Sequence, residues 1–500
     1  MLVLLPVVLL SLTLFSLVAV QRWRPAFKSY WFVATGGVLL ASLVTLGLRA
    51  GLPHQITLPG WQLGPELQFP FLLALDAFSW PLAVSVLILL LAHLLARVRR
   101  ASGVSWPIWV PALALAAAAL LVALAGDLLA AALTLFLLDV LQYGLHSALA
   151  LEQGRASLLE RLAFNTSSVI LVLAAWAIPA SYASLASLVL GVAATIRLAV
   201  AIRPLPATRQ EMPAFHAMLR AAPLIGAVVL LRFMPAVSGL ALQLALALVW
   251  GLGIYSAAQN LAPAAPRHWQ QASLAALVLI AGLAGAQAAV LAFGLLWLFS
   301  DSVAQLTAQF GEWHRPLTVV AALLLAGLLF TSVQGVSTLY PAAASPLIFL
   351  ALPLHALLLL GLLQRAAEPA AAPDPDEPWT LAVEAIAASL PAVMLLLLGL
   401  LMPAPSGRAW WPGLVVLLLL AAAYAGRQAL QRSGRRLLPP HLRLPQMQWP
   451  APQRAAALFS AALAGSLRLL NSLLEGEAGL LWALLFIALL ISVFSQTGLG

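Results

Sequence analysis

Long apolar runs, each close to the length of a bilayer-crossing helix, alternate with short polar or Pro-rich breaks along most of the chain. At about 20 residues per crossing, the runs predict spans at 2–20, 30–48, 77–96, 107–125, 128–150, 162–178, 185–203 and 214–234. Further spans follow at 239–257, 270–285, 286–308, 316–334, 344–364, 380–402, 410–425 and 479–495, with 270–308 open to a different division. The fold class expected is all-α and polytopic, with about 14–16 transmembrane helices. The first run has neither a basic segment ahead of it nor a small-residue cleavage site after it, so it reads as a helix rather than a cleaved signal.

Three breaks differ from the others. Residues 51–75 combine Gly and Pro with alternating apolar positions and predict a short extracytoplasmic hairpin. Residues 366–378, AAEPAAAPDPDEP, read as an acidic cytoplasmic linker. After a basic, Pro-rich start at 426, the apolar positions Ala457, Leu458, Ala461, Ala462, Gly465, Leu469 and Leu473 recur at helical spacing. That spacing predicts an amphipathic helix on the inner membrane surface or against neighbouring helices, before the final span.

Composition narrows the class. With 63% hydrophobic and 8% charged residues and a mean hydropathy of +1.01, the chain is no soluble globular protein. The formal charge of +9 suggests nucleic acid as a partner, but the basic residues sit in short loops between apolar runs. Nineteen of the 25 follow odd-numbered spans, while loops after even-numbered spans hold only Arg49, Arg232 and Arg408. That asymmetry is a membrane-orientation signal placing the N-terminus outside a prokaryotic cytoplasmic membrane, and it excludes a nucleic-acid role. The absence of cysteine excludes disulfides, thiolate metal sites and thiol nucleophiles.

Few ionisable residues fall within the runs: Asp139, His146, Arg197, Arg220, Asp301 and His355. A charge at bilayer depth costs roughly 2.5–3.5 kcal/mol on insertion scales, so Asp139, Arg197, Arg220, His146 and Asp301 are ion-pathway candidates. Arg197 and Arg220 stand in neighbouring runs joined by a segment carrying Pro204, Pro206 and Pro213. A guanidinium stays protonated; it can hold a carboxylate, bind an anion or repel a cation, but it cannot shuttle protons. Asp139, Gln142, Tyr143 and His146 share one helix face, because spacings of three, four and seven residues return to one side. They are either a proton-relaying or cation-pairing set, or a polar patch satisfied by a neighbouring helix. Asp301, between Ser300 and Ser302, marks a second polar position. Asp76 and Asp127 stand at helix starts, where a carboxylate complements the helix dipole. No nucleotide loop, metal cluster or nucleophile triad is present, so no cofactor is expected on this chain.

The segments WQLGPELQFPFLLALDAFS, AGDLLAAALTLFLLDVLQYGL, AATIRLAVAIRPLPATRQEMPAFHAMLRAAPLIGAVVLLRF, RHWQQASLAALVLIAGLAG and AGLLFTSVQGVSTLYP occur in the order found in a known family. Over roughly residues 60–340 the chain resembles the antiporter-like membrane subunits of respiratory complex I and its relatives. Those relatives include multisubunit cation/proton antiporters, membrane-bound hydrogenases and the membrane subunits of inorganic-carbon transporters. The resemblance implies inverted five-helix repeats over 107–234 and 239–364, each with a broken helix. Helices of 1–106 would precede them, and 380–425 and a lateral helix within 426–500 would follow.

It also implies a chain of buried charges that moves protons. The family's helix-five glutamate falls on Asp139, its helix-seven lysine on Arg197 and its helix-eight histidine on Arg220. A later lysine falls near Asp301 or Ser302, and the last on Leu339. The chain's one lysine, Lys28, lies in a loop, so the first half keeps an altered acid–base pair and the second almost none. The expected role is a non-catalytic subunit of a redox-driven ion translocase, conducting ions or scaffolding the assembly. Its expected partners are the bilayer, other membrane subunits of a hetero-oligomeric complex and a soluble or peripheral catalytic subunit. Membership of an inorganic-carbon uptake complex and an autonomous anion transporter are the alternatives.

Overall fold

The computed structural model describes residues 2–24, 29–64, 67–96, 98, 109–149, 155–205, 212–261, 267–307, 314–328, 330–341, 345–366, 378–402 and 409–432. The expected acidic linker, apart from its end residues, and everything in 433–500, including the amphipathic helix and final span, lie outside them.

Fifteen α-helices follow one another among the described residues. They are α1 (Leu5–Trp23), α2 (Tyr30–Gly47), α3 (Ser79–Leu95), α4 (Val110–Ala123), α5 (Leu128–Leu149), α6 (Arg155–Ala177), α7 (Ala183–Ile202) and α8 (Pro213–Arg232). After these come α9 (Gly239–Asn260), α10 (Arg267–Leu283), α11 (Gln287–Thr307), α12 (His314–Leu325), α13 (Ala351–Ala366), α14 (Pro378–Leu401) and α15 (Trp411–Arg432). Eleven stretches are long and apolar enough to cross a bilayer, and α3, α4 and Pro316–Leu325 are shorter apolar helices. The protein is an all-α, multi-pass membrane protein. Met1–Leu58 and Phe71–Ala429 together form one compact unit.

Within this unit, α3, α8 and α11 form the centre: every residue from Ser79 to Leu94 is buried, as are 89% and 83% of the span windows of α8 and α11, against 28% for α1 and α9. The outer helices expose Leu and Phe, as lipid-facing surfaces do; on α9, Leu240, Leu244, Leu248 and Leu252 form one exposed stripe. The ends of elements follow local chemistry. Arg203, just before Pro204, takes an extended conformation (ψ 140°) and ends α7, because a following proline disfavours the α region. Arg161 secures that end by donating to the carbonyls of Arg203 (2.6 Å) and Pro204 (3.1 Å). Asp127 starts α5 by accepting from Ala130 N (2.6 Å).

The predicted hairpin is a two-stranded sheet of β1 (His54–Gly64) and β2 (Leu67–Leu75). At its base Leu72 N donates to Asp127 Oδ2 (2.7 Å), and Ala74 N to Leu124 O (2.7 Å). The carboxylate that caps α5 thus also fixes the hairpin's exit.

Two expectations change. The run 316–334 is not one helix: α12 stops at Leu325, and a 3-10 helix covers Ser332–Leu339. The backbone reverses at Gly327 (φ 81°) and Phe330 (φ 65°). Gly413 and Gly399 lie against it, and a Cβ on Gly399 would sit 2.2 Å from Phe330 O. In the first half, by contrast, α7 runs unbroken from Ala183 to Ile202, so the implied break is absent there. Pro204 follows the end of α7, and Pro213 begins α8.

Candidate functional site

Asp139 lies near the middle of α5 and Arg197 in the last third of α7. Helical side chains lean toward their own N-terminus, so the long arm of Arg197 reaches back to the level of Asp139. The pair is bidentate: Nη1 donates to Oδ1 (3.1 Å) and Nη2 to Oδ2 (2.7 Å). The third contact is Arg197 Nε donating to Ser168 Oγ of α6 (3.1 Å), while that hydroxyl donates to Ala193 O of α7 (3.0 Å). Arg197 is 0% and Asp139 2% exposed, so the two charges are removed from solvent together. Space for the guanidinium's stem comes from α8, where a Cβ on Gly226 would stand 3.1 Å from Arg197 Cδ. A fork-to-carboxylate pair of this kind fixes geometry as well as charge.

The rest of the predicted α5 face continues from it. Gln142 donates a long hydrogen bond to Leu219 O of α8 (3.4 Å), and its Oε1 has no partner among the described residues. His146 is buried and packs edge-on against Phe215 of α8, with ring centres 5.9 Å apart. On the facing α6, Arg161, Asn165 and Ser168 form a matching buried polar row. Their four- and three-residue spacing in an apolar run was a readable signal. The predicted span began at 162, however, which placed Arg161 in a loop.

Arg220 and Asp301 form a second, looser pair between α8 and α11, 3.8 Å apart, with side chains 31% and 16% exposed. Gln305, one turn beyond Asp301, donates to Oδ2 (2.7 Å), and Gln271 of α10 to Oδ1 (3.4 Å). The pair lines an open cleft with Leu89, Met218, Leu224, Trp297 and Ser302. Arg161 lies within electrostatic range of Arg220, Arg203 and Glu160, which links the cleft to the end of α7. Asp76 has two roles. Its Oδ1 accepts from Phe78 N and Ser79 N (2.9 Å each) at the start of α3, and its Oδ2 accepts from Arg232. Arg232, expected in a loop, is the last residue of α8 and lies over the rings of Phe78 and Phe233.

The structure therefore joins Asp139 to Arg197 and Arg220 to Asp301, keeps His146 on the Asp139 face, and adds Ser168, Arg161, Gln271 and Gln305. Leu339, where the family carries its last lysine, is buried and apolar. No group of three or more His, Cys, Asp or Glu suited to a metal occurs among the described residues.

No family model and no curated protein matches the sequence. Solved structures do match in fold. A chain of the Mrp complex from Dietzia sp. DQ12-45-1b superposes with a TM-score of 0.64 at 13% identity. That match covers 98% of this chain, which spans 63% of the other chain's length. A chain of the membrane-bound sulfane sulfur reductase, an archaeal respiratory membrane complex, gives 0.57 at 15% identity, covering 98% of this chain and 99% of that one. A chain of respiratory complex I from Thermus thermophilus with bound NADH also gives 0.57, at 19% identity, covering 84% and 98%. At these identities the likeness is one of fold, and it agrees with the resemblance in the sequence.

Proposed function

We propose that this chain is an antiporter-like membrane subunit of a complex I-related energy-converting assembly in a prokaryotic cytoplasmic membrane, with its N-terminus outside. In such an assembly its buried charges take part in proton or cation translocation. The observation that carries this reading is the Asp139–Arg197 pair: a fully buried, bidentate ion pair between α5 and α7 within the fold just described. An ion pair at that depth does little for stability relative to well-packed apolar residues, so its presence in a lipid-embedded bundle favours a functional role.

Chemically the two members differ. Arg197 stays cationic, so it sets the field, and Asp139 is the member that can take a proton when the pair loosens. An autonomous anion transporter would need Arg197 free to hold its substrate, whereas three of its N–H groups are already directed at Asp139 and Ser168. The partners fitting this reading are other membrane subunits and a peripheral catalytic subunit.

Purification in mild detergent followed by mass spectrometry tests it. Copurifying membrane subunits of a redox-driven complex are the expected result. A lone, monodisperse monomer would overturn the proposal, and a single large soluble zinc protein would point to inorganic-carbon uptake instead. In the reconstituted assembly, Asp139→Asn should cut proton flux by about tenfold or more, and His146→Ala by less. Equal, negligible effects would make the α5 face structural.

A further inference from the structure

His355, near the start of α13, is completely buried. Its Nε2 lies 3.0 Å from Leu325 O, the last carbonyl of α12, one of the orphan acceptors at a helix end. A carbonyl only accepts, so Nε2 carries the hydrogen and Nδ1 presents a lone pair. That Nδ1 has no hydrogen-bond partner among the described residues.

It is not an isolated shortfall. In the 3-10 helix that follows the α12 break, Ser332 Oγ, Gln334 Nε2 and Ser337 Oγ are also without partners among the described residues. Their side chains belong to residues more than nine-tenths buried. Packing brings this helix and His355 to one stretch of α11. A Cβ on Gly335 would meet Ala288 O at 2.6 Å and Ala292 Cβ at 3.2 Å. The next α11 residue, Phe293, stands edge-on to His355, with ring centres 5.8 Å apart.

Buried polar groups are rarely left unsatisfied, and several unsatisfied hydroxyl, amide and imidazole groups in elements packed on one helix are the kind of lining that internal water requires. The surroundings of the ring are uncharged. α11 offers Phe293 and α12 the Leu325 carbonyl. On α9, Gly253 lies against Leu354 of α13 and Ala276 of α10, and Asn260 abuts Gly361 of α13. Tyr340, at the end of the 3-10 helix, stacks on Phe349 and packs against Trp411.

We propose that His355 is the proton-carrying group of the second half, set in a buried, hydrated site formed with Ser332, Gln334 and Ser337 beside the α12 break. A hydronium in the site passes its proton to the Nδ1 lone pair and leaves as water. The imidazolium later returns the proton to another water, while Nε2–H stays on Leu325 O throughout. This supplies a titratable side chain in a half whose lysine positions are lost. The use of His355 in translocation rests on the function proposed above; its protonation does not.

The test is 15N solid-state NMR of the full chain, with histidine and leucine labelled, in phospholipid liposomes between about pH 8 and pH 3.5, an interval extended downward because burial disfavours a charged imidazole. The His355 signal is identified by its Nε2 contact with the Leu325 carbonyl carbon. Conversion from the Nε2–H neutral form to imidazolium in that interval, with hydrogen exchange into D2O, is expected. A ring that stays neutral and protected throughout overturns the proposal.

His355→Gln keeps an N–H for Leu325 O and removes the titratable nitrogen. In the reconstituted assembly this variant should keep the thermal midpoint and lose about tenfold or more of the proton flux. Wild-type flux in that variant would overturn the proposal. If the wild-type assembly itself carries no protons, the proposed function fails, and the NMR titration alone decides His355.

Discussion

The two halves of the bundle bury their main polar groups differently. Between α5 and α7 they form a closed charge pair, with Asp139, Arg197 and Ser168 satisfying one another. Beside the α12 break they are a neutral set of imidazole, amide and hydroxyl groups with bonding capacity left over. A guanidinium held by a carboxylate in low dielectric is a fixed source of field, strong and slow to rearrange. Neutral groups that need water can exchange a proton without separating two charges. If the chain has the function proposed above, the halves differ in role: arginine holds the charge of the first, and titration in the second falls to His355.

The largest effect expected from breaking this contrast is on stability. Arg197→Leu leaves Asp139 buried without a counter-charge, which costs about 3–5 kcal/mol. Unfolding of the detergent-solubilised chain should show a large drop in midpoint. Asp139→Leu combined with Arg197→Leu should recover most of it, because two apolar side chains need no partner. A single variant as stable as the parent would mean that the pair is open rather than closed.

Next come two glycines that admit neighbours. A Cβ on Gly226 would meet Leu135 at 2.7 Å and Arg197 Cδ at 3.1 Å, both side-chain atoms with some freedom to move. A Cβ on Gly399 would meet the Phe330 carbonyl at 2.2 Å, which is backbone held in the α12 break. Overpacking typically costs about 1–3 kcal/mol, so Gly399→Ala should fall at the upper end and Gly226→Ala at the lower. Thermal midpoints in the reverse order would mean that the break is the more pliable of the two sites.

How much of this could be read in advance depends on range. Spans were legible because 20-residue apolar runs leave the backbone few alternatives in lipid. The shared face of Asp139, Gln142 and His146 was legible because it is local, set by helical period. The partnership of Asp139 with Arg197 spans 58 residues and no periodicity encodes it; it came from the family resemblance. Ser168 and Arg161 carried a helical spacing, but a span boundary drawn at 162 hid it. A break in this half was implied by the family resemblance, but its position was not legible, because residues 317–330 are almost wholly apolar. What opens it is the positive φ at Gly327 and Phe330, together with the approach of Gly399 and Gly413 from more than 60 residues away.

The smallest effect belongs to the looser pair. Arg220 and Asp301 stand 3.8 Å apart in an open cleft, partly exposed, so solvent screens their attraction and the pair contributes about 0–1 kcal/mol. Asp301→Asn removes the charge but keeps an oxygen that can accept from Gln305 and Gln271, which limits the loss further. The unfolding midpoint should move little, and the difference should shrink as salt is raised, since only the exposed pair is screened. Arg197→Leu should show no such salt dependence. A large, salt-independent loss in Asp301→Asn would mean that the cleft closes in the membrane. The two ion pairs would then be alike, and the contrast would lie wholly between charged and neutral halves.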